Sequence, residues 1–278
     1  MMRMRFGLDV SQHQLTWDEI VARARLAEDA DLDGVWVFDH FKALYGDPKG
    51  PSLEGWTLLA GLARETSRVR LGTLVTGMTH RHPAVLAAEV VTVDHLSGGR
   101  VECAVGAAWN EPEHRELGIP FPSTKERMDR LEEGIQVLRA LFTQEDVTFA
   151  GAEYQLAGGT YRPRAVQQPH PPIWVGGEGR RRTLPIAGRY ADAWHGWAND
   201  AAELAEITGI IDGAAEEAGR DPSSILRASS LSISEPWAEV KAAYEWMAAG
   251  GIGYLVIEWP TEGQARLEEF LQQVLPAL

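Results

Sequence analysis

The sequence predicts a closed parallel (β/α)8 barrel, a TIM barrel, that forms a single domain over residues 1–278. Three observations lead to this α/β fold class. Short apolar runs alternate with capped helical segments, eight such pairs follow one another without a long linker, and no dinucleotide fingerprint follows the first strand. A doubly wound open sheet is the alternative, and eight near-equal units favour closure instead.

The first half of the chain contains four strand–helix units and then a hairpin. β-branched and aromatic residues mark the strands, whereas Ser, Thr or Pro marks several helix starts. The predicted strands are 5–10, 34–38, 69–76 and 101–105, and the helices are 16–30, 54–66, 82–97 and 123–142. Residues 147–156 break the alternation and predict a small hairpin that turns at Gly151.

The second half resumes the alternation after this insertion. The predicted strands are 173–175, 191–197, 225–233 and 253–258, and the helices are 180–190, 201–218, 236–249 and 261–274. In a parallel barrel the loops that follow the strands meet at one mouth, so the residues just after each strand are the candidates for chemistry.

Composition excludes several classes of function. A formal net charge of -14 argues against general nucleic-acid binding and against an anionic membrane surface. Cys103 is the single cysteine and lies in an apolar run, so neither a disulfide nor a cysteine metal site forms within one chain. We find no signal peptide and no apolar run near the length of a membrane span, and we expect a soluble cytoplasmic protein.

A basic turn indicates an anion site. Gly176, Gly177, Glu178 and Gly179 follow an apolar strand and precede an arginine run, 180–182. Unpaired backbone N–H groups at a helix start bind phosphate well, and glycine lets a ligand approach them. The sequence therefore predicts a phosphate grip, although a basic, solvated first helical turn is an equally open interpretation.

Aromatic residues follow several strand ends and indicate a flat apolar pocket. They are Phe41, Trp109, Trp194, Trp197 and Trp259. Among the histidines, His40 is the best catalytic candidate because it follows Asp39 at the end of a buried strand, and histidine is a common acid or base in catalysis. Asp39 before it either orients and tunes His40 or fixes the strand end by accepting backbone hydrogen bonds.

A metal-dependent barrel hydrolase is a lesser alternative. His80 and His82 have the His-x-His form, but they lie in a loop that leads into a helix rather than on a strand end. No metal site is therefore predicted.

Seven segments in order resemble the bacterial luciferase-like monooxygenase family of flavin- and deazaflavin-dependent barrels. They are GVWVFDH (34–40), LGTLVT (71–76), HPAVL (82–86), DHLSGGRV (94–101), GAAWNE (106–111), PPIWVGG (171–177) and ADAW (191–194). Residues 113–130 look most like the branch that uses the deazaflavin coenzyme F420. Together these segments cover about two thirds of the chain.

The resemblance implies roles for particular residues. A bulge in the third strand carries the cofactor ring, with a cis peptide joining Leu74 to Val75 or Val75 to Thr76. Asp39 and His40 flank the reactive ring edge. The remaining positions that match cofactor-binding motifs are Gly106, Ala107, Gly176, Gly177, Glu178, Gly179 and Arg180.

The resemblance also implies an oxidoreductase that transfers hydride between F420 and a small organic substrate. An FMN-dependent monooxygenase with a separate reductase is the alternative, and a non-catalytic flavin-binding barrel is less favoured. His40 would act as acid or base, and the three arginines would meet the phosphate and acidic tail of F420. The family tendency implies a homodimer and a partner enzyme that reduces the cofactor. We expect the substrate pocket to include Trp109, Glu111, His114, His195, Trp197 and Glu258.

Overall fold

The computed structural model describes residues 3–278, and the first two residues of the predicted domain lie outside the described range. The strands are β1 (Arg5–Asp9), β2 (Gly34–Val37), β3 (Arg70–Thr73), β4 (Thr76–Gly77), β5 (Val101–Gly106), β6 (Val147–Ala150), β7 (Gln155–Gly159), β8 (Ile173–Gly176), β9 (Ala193–His195), β10 (Leu226–Leu231) and β11 (Tyr254–Ile257). The α-helices are α1 (Trp17–Asp29), α2 (Gly55–Glu65), α3 (Pro83–Ser97), α4 (Glu111–Leu117), α5 (Thr124–Thr143), α6 (Thr183–Tyr190), α7 (Ala201–Glu217), α8 (Trp237–Ala249) and α9 (Gln264–Glu269).

Nine strand segments form one parallel sheet that closes on itself. Their order is β3-β2-β1-β11-β10-β9-β8-β5-β4, and a further pairing of β3 with β5 joins the two ends. β3 and β4 are two parts of the third strand, so the barrel has eight strands. The predicted (β/α)8 barrel is confirmed, and the closing pairing excludes a doubly wound sheet, which has two open edges.

The third strand contains one extra residue. Against β5, Leu71 lies opposite Val101 and Thr76 lies opposite Val105. From 71 to 76 is five steps along the third strand, whereas from 101 to 105 is four steps along β5. The strand therefore forms a β-bulge and splits into β3 and β4. The sequence pattern alone predicted one continuous strand over 69–76, and only the family resemblance implied the bulge.

Helix α4 was not predicted, and its caps explain why it forms. The Asn110 side chain accepts the N–H of Glu113, and Pro112 occupies the first turn, where a missing N–H costs nothing. Gly118 ends the helix with φ of 69°. Sequence analysis treated this segment as loop because it is short and mostly polar.

Two predicted helices begin three residues later in the structure than the sequence predicts. Helix α6 begins at Thr183 rather than at Arg180, because the N–H groups of Arg182 and Leu184 both donate to the Gly179 carbonyl in a tight turn. The last predicted helix, 261–274, is α9 followed by a π-helical turn over Phe270–Val274.

The predicted hairpin after α5 is confirmed as the antiparallel pair β6 and β7. Glu133 of α5 accepts the N–H groups of Ala152, Glu153 and Tyr154 at 2.8, 2.9 and 3.1 Å. One carboxylate thus fixes the hairpin turn to the outside of the barrel.

The core has two layers. Inside the barrel, the rings of Trp36 and Trp174 lie 4.8 Å apart, and Trp36 donates to the Tyr254 hydroxyl at 3.0 Å. A larger apolar layer between the strands and the helices contains Cys103, which is buried as predicted. Within residues 3–278 we find no helix with both the length and the apolar character needed to cross a membrane.

Candidate active site at the carboxyl ends of the strands

His40 and Glu113 form a hydrogen-bonded pair at the mouth of the barrel. His40 follows the end of β2, and Glu113 lies in α4, which follows β5. The His40 Nδ1 atom lies 2.7 Å from the Glu113 Oε2 atom. A carboxylate only accepts hydrogen bonds, so Nδ1 carries the proton. The Nε2 atom of His40 is therefore the one that can exchange a proton with a bound molecule.

The environment of Glu113 keeps it ionised at neutral pH. Its second carboxylate oxygen accepts the N–H of Phe41 at 2.8 Å. Burial by itself would raise the pKa of Glu113, but the hydrogen bond and charge of His40 and the Phe41 N–H lower it below its usual value. An anion is thus held beside the imidazole ring.

Asp39 binds a different set of partners. Its carboxylate accepts the Gly77 N–H at 3.1 Å, His80 Nδ1 at 2.9 Å and two Arg81 nitrogens at 2.8 and 2.9 Å. Burial would raise the pKa of Asp39, but the hydrogen bonds from His80 and Arg81 lower it to about 2. Asp39 thus ties the loop after β4 to the end of β2, which matches the structural alternative from the sequence. Glu113, rather than Asp39, hydrogen-bonds His40.

The bulge in the third strand is built around Val75. The peptide bond between Leu74 and Val75 is cis, at one of the two positions that the resemblance implied. A Cβ atom at Gly106 or at Gly176 would lie 2.8 Å from a methyl carbon of Val75. The two glycines, on β5 and β8, therefore leave the space that the Val75 side chain fills.

Two further predicted cofactor residues flank this bulge. The Thr76 hydroxyl is buried and bonds Thr73 Oγ1 at 2.6 Å and Trp56 Nε1 at 2.9 Å. Ala107 is buried after the end of β5, and Ala108 follows it with φ of 60°. The side chain of Thr76 is thus engaged within the protein, and only the backbone turn at Ala107 is free to follow a ligand.

The glycine turn after β8 presents unpaired backbone donors. Gly177 has φ of 119°, a conformation that favours glycine. Within residues 3–278 the backbone N–H groups of Glu178, Gly179, Arg180 and Arg181 donate no hydrogen bond. The Glu178 carboxylate accepts the Trp197 N–H at 2.9 Å and so faces the loop after β9. The turn therefore keeps the donors of an anion site.

A pocket of about 480 Å³ lies beside this turn. It is lined by Thr124, Lys125 and Met128 of α5 and by residues 179–183. The side chains of two of the three arginines point away to neighbouring helices. Arg180 donates to Glu203 of α7 at 2.6 Å, and Arg182 donates to Asp129 of α5 at 2.9 Å. The expected clamp of three free cations is therefore absent among the described residues, and the arginines brace the turn.

Trp109 and Trp197 flank the mouth as the sequence predicts. Trp109 is 69% exposed, and its ring lies 5.8 Å from that of His40. Trp197 is 54% exposed and lies edge-on to His195 at 5.1 Å. Their exposed faces provide apolar walls for a planar or apolar ligand.

The other two tryptophans of the predicted set pack against neighbouring groups. Trp194 is fully buried between the sheet and the helices, and its Nε1 atom donates to the Gly177 carbonyl at 2.9 Å. The side chain of Trp259 packs under the Arg23 guanidinium, 3.6 Å from its ring centroid. The expectation that all five aromatic residues converge was therefore wrong for Trp194.

The predicted pocket residues on α4 differ in their surroundings. Glu111 is exposed at the first turn of the helix. His114 is buried, with Nδ1 2.8 Å from the Asn110 carbonyl and Nε2 2.8 Å from the Thr79 hydroxyl. Both ring nitrogens of His114 are thus engaged, and only Glu111 is free to meet a ligand.

His195, Glu258 and Asp9 end three strands on the other side of the mouth. The Nε2 atom of His195 lies 3.1 Å from the Ser230 hydroxyl, and burial lowers the pKa of His195 to about 4. Burial also raises the pKa of Glu258 and raises that of Asp9 to about 7. At neutral pH this side of the mouth therefore carries less charge than its residue types suggest.

His13 is a second imidazole that sequence analysis did not single out. Its ring stacks on Phe38 with centroids 5.1 Å apart, and Nδ1 lies 3.2 Å from the Ser52 hydroxyl. Its Nε2 atom is buried and has no partner among residues 3–278. Burial and the nearby His40 lower the pKa of His13 to about 4. His13 is therefore neutral at physiological pH.

One side-chain cluster approaches the composition of a metal site. Ligand atoms of His80, Glu113 and His114 lie within 4.8 Å of one another. Both oxygens of Glu113 and both nitrogens of His114 already take part in hydrogen bonds, which leaves His80 Nε2 alone available in the cluster. His82 instead caps α3 by accepting the Ala84 N–H. These donors do not form the set of three or four ligands that zinc needs.

Comparison with known proteins places this barrel in a family. The model of the luciferase-like monooxygenase family matches residues 1–273. The chain belongs to that family. The match extends beyond the seven segments that carried the resemblance, and it includes Asp9 near the start of the chain and Glu258 near its end.

Two relatives of this chain are named as F420-dependent enzymes. The F420-dependent hydroxymycolic acid dehydrogenase of Mycobacterium tuberculosis is 31% identical over 250 residues, which are 88% of this chain and 67% of that protein. The F420-dependent glucose-6-phosphate dehydrogenase of Kineococcus radiotolerans is 36% identical over 195 residues, 69% of this chain and 56% of that protein. The chain thus spans between about half and two thirds of these curated relatives.

A solved structure agrees with the fold of this chain over the whole length of both chains. The F420-dependent secondary alcohol dehydrogenase in complex with an F420–acetone adduct superimposes with a TM-score of 0.89. It is 21% identical and covers 100% of both chains. At this identity the likeness supports the barrel architecture.

Sequence reasoning missed Glu113, and it placed Asp9 at the end of the first strand without giving it a role. Asn110 and Pro112 were a readable helix-start signal, and a helix there turns its third residue inward toward His40. Asp9 was readable as the polar end of an apolar strand. Neither sequence pattern shows how the surroundings shift the pKa of Glu113 or of Asp9.

Proposed function

We propose that this protein is an F420-dependent oxidoreductase that transfers hydride between the cofactor and a small organic substrate. The observation that carries the proposal is the His40–Glu113 pair at the same barrel mouth as a turn of unpaired backbone N–H groups. The F420-dependent names of two relatives more than 30% identical to the chain support the choice of cofactor.

The residues present fit a phosphate-bearing planar cofactor. The unpaired N–H groups at Glu178, Gly179, Arg180 and Arg181 would hold the phosphate, beside the 480 Å³ pocket. The bulge at Val75 would support the ring, with the backbone at Gly106 and Ala107 along its side. When bound, F420 supplies a deazaflavin ring that accepts or donates hydride and reacts poorly with oxygen.

His40 supplies the proton transfer in this proposal. Its Nδ1–H donates to Glu113, so Nε2 takes the hydroxyl proton when an alcohol is oxidised and returns it when a carbonyl is reduced. Glu113 stabilises the imidazolium that forms. Asp39 holds the loop after β4 in place and exchanges no proton in this scheme.

An FMN-dependent monooxygenase that relies on a separate reductase is the second candidate. One observation favours it: Arg180 and Arg182 are already paired with carboxylates, so the arginine run gives no reason to prefer the acidic tail of F420. The same glycine turn would serve FMN. The two cofactors therefore have to be separated by measurement.

The test is titration of the purified protein with F420 and with FMN, followed by fluorescence and absorbance. We expect tighter binding of F420, whose bound form absorbs at shorter wavelength than a flavin. Tight binding of FMN alone would reverse the choice of cofactor. His40→Ala should retain F420 binding and lose turnover by about 100-fold or more. Unchanged turnover would remove His40 from the mechanism, whereas F420 binding without turnover of any substrate in the wild type would favour a binding protein.

The proposal also includes a single domain over the whole chain, a homodimer, a cytoplasmic location and a partner enzyme that reduces the cofactor. The family tendency supports the dimer. Sedimentation of the purified protein measures its mass, and a monomer at micromolar concentration would contradict the dimer.

A further inference from the structure

Four neighbouring loops at the mouth contain no lysine or arginine. The strands β9, β10, β11 and β1 are consecutive in the barrel. The loops that follow them are 196–200, 232–236, 258–263 and 10–16. Their charged residues are all acidic: Asp200, Glu235, Glu258 and Glu262. One half of the mouth therefore has no cation of its own, whereas the basic turn after β8 lies next to it.

The two arginines that reach these loops from helices are already engaged. Arg23 of α1 donates to the Val10 carbonyl at 2.9 Å and covers the ring of Trp259. Arg266 of α9 donates to the Ile233 carbonyl at 2.9 Å and likewise covers an indole ring. Both guanidinium groups donate to backbone carbonyls of these loops, so neither is directed at a ligand.

The side chains that point into this half of the mouth are hydrogen-bonding groups with little charge. Leu8 pairs with Ile257, and both pack in the outer core, so Asp9 and Glu258 at the next positions point inward side by side. Burial raises the pKa of Asp9 to about 7 and raises that of Glu258. His195, bonded to a serine hydroxyl, is neutral because burial lowers its pKa to about 4.

These features decide against an anionic ligand in this half. A phosphate dianion would face the carboxyl groups of Asp9 and Glu258. The charge of Arg23 acts on Asp9, but its guanidinium is already engaged by the Val10 carbonyl and the Trp259 ring, so the four loops offer no free cation to offset the desolvation of the phosphate. A neutral hydroxyl or carbonyl group finds carboxyl and imidazole partners instead. The exposed face of Trp197 adds apolar contact for the rest of such a molecule.

We propose that the substrate of this site is an uncharged alcohol or carbonyl compound that carries no phosphate group, bound between His40 and the loops after β9, β10, β11 and β1. This inference rests on the proposed F420-dependent function. In the oxidation, the carbinol C–H bond would break and its electron pair would leave with the hydrogen as hydride, for which bound F420 would be the acceptor. The hydroxyl proton passes to His40 Nε2, and the C=O bond forms.

The test compares matched substrates on the F420-loaded protein. The neutral panel is 2-propanol, cyclohexanol and glucose, and the anionic probe is glucose 6-phosphate. We expect at least one neutral alcohol to be oxidised with a kcat/KM more than about 10-fold above that of glucose 6-phosphate. We also expect glucose 6-phosphate to inhibit no more strongly than glucose.

A charge-reversal variant tests the physical reason. Glu258→Lys should strengthen inhibition by glucose 6-phosphate about 10-fold relative to wild type and leave F420 affinity, measured by fluorescence, unchanged. Glu262→Lys is the matched control, because this carboxylate lies on the same loop, is exposed and accepts a hydrogen bond from Ser234. Equal effects of the two variants would mean that the local field at the mouth does not select the substrate, and would overturn the inference.

The remaining outcomes separate this inference from the proposed function. Preference for glucose 6-phosphate in the wild type overturns the inference and leaves an F420-dependent dehydrogenase. Tight F420 binding with no turnover of any neutral alcohol, and none of acetone or cyclohexanone in the reverse direction, overturns the substrate class alone. Failure to bind F420 overturns the proposed function and the inference with it.

Discussion

At the scale of single residues, the pairing of His40 with Glu113 determines which imidazole nitrogen is available. A buried anion at Nδ1 fixes the tautomer and stabilises the protonated ring, which leaves Nε2 facing the mouth. The neighbouring Asp39 is closer in sequence but serves Arg81 and His80. Adjacency in sequence is therefore a poor guide to the hydrogen-bond partner of this histidine.

Glu113→Gln tests this pairing. The amide keeps the size of the side chain but removes the charge that supports the imidazolium, so we expect kcat to fall by about 10-fold to 100-fold with little change in F420 affinity. Steady-state kinetics and F420 fluorescence measure the two effects. Glu116→Gln on the same helix, which removes the exposed partner of Lys42, should leave kcat unchanged. A kcat equal to that of wild type in Glu113→Gln would show that His40 needs no anionic partner.

Asp9 makes stability depend on pH. Its pKa rises from 3.8 in the unfolded chain to about 7 in the folded protein because of burial. The folded state thus binds the Asp9 proton more tightly than the unfolded chain does. Binding of this proton stabilises the folded state fully below about pH 4, and that stabilisation is lost as the pH rises to about 7. We expect Asp9→Asn to be more stable than wild type by about 1–3 kcal/mol at pH 8 and by less at pH 5.

Urea unfolding of wild type and Asp9→Asn at the two pH values measures this difference. Asp29→Asn replaces an exposed carboxylate at the end of α1 and serves as the control. A stability difference for Asp9→Asn that is the same at pH 5 and pH 8 would contradict a raised pKa at Asp9.

At the scale of elements, the bulge and the two glycine-ended strands form one unit. Val75 projects from the bulge into space that Gly106 on β5 and Gly176 on β8 leave open. The packing of three strands thus depends on these residues, at the place where we expect the cofactor ring to bind. The glycines that the family resemblance assigned to the cofactor also have this packing role.

Gly106→Ala tests that unit. The new Cβ would lie 2.8 Å from Val75, so we expect a loss of about 1–3 kcal/mol in the free energy of unfolding. Adding Val75→Ala should recover part of the loss, because it removes the methyl groups that clash. Gly209→Ala is the control: its Cβ would meet open space in α7, and the change should stabilise by about 0.5–1 kcal/mol. Additive losses in the double variant would argue against the proposed clash.

The sequence predicted the elements well and the site unevenly. Strand and helix alternation identified the barrel, because apolar periodicity follows directly from burial. The third-strand bulge escaped the periodicity argument, since one extra residue in 69–76 leaves the apolar pattern unchanged. His40 was found because it ends a strand, but Glu113 was missed because its partner lies 73 positions away. The ion pairs of Arg180 and Arg182 could not be predicted either, since they join the turn after β8 to α7 and α5, whose acidic partners lie far away in sequence.

At the scale of the whole molecule, the Glu102 side chain links three neighbouring strands at the point where the barrel closes. It lies in β5, accepts Trp174 Nε1 of β8 at 2.8 Å and forms an ion pair with Arg70 of β3. Burial raises the pKa of Glu102 despite the charge of Arg70. The Arg70–Glu102 ion pair therefore supports the closing pairing of β3 with β5 in addition to the backbone hydrogen bonds.

Glu102→Gln should weaken the closed barrel. It removes the charge that faces Arg70 and the strongest acceptor of the Trp174 N–H, so we expect a loss of about 2–3 kcal/mol in urea unfolding. Glu65→Gln, which breaks the exposed pair with Arg25, should change stability by less than about 0.5 kcal/mol. Equal effects would show that barrel closure does not depend on this link.

The arginines that brace the glycine turn have a consequence for how tightly a ligand is held. Arg180 anchors the turn to α7 and Arg182 anchors it to α5 before any molecule binds. Such pre-organisation means that little conformational freedom is lost on association. Because the backbone N–H groups are fixed and two of the three arginines are paired with carboxylates, we expect the dissociation constant of an anionic ligand at this turn to vary only weakly with ionic strength.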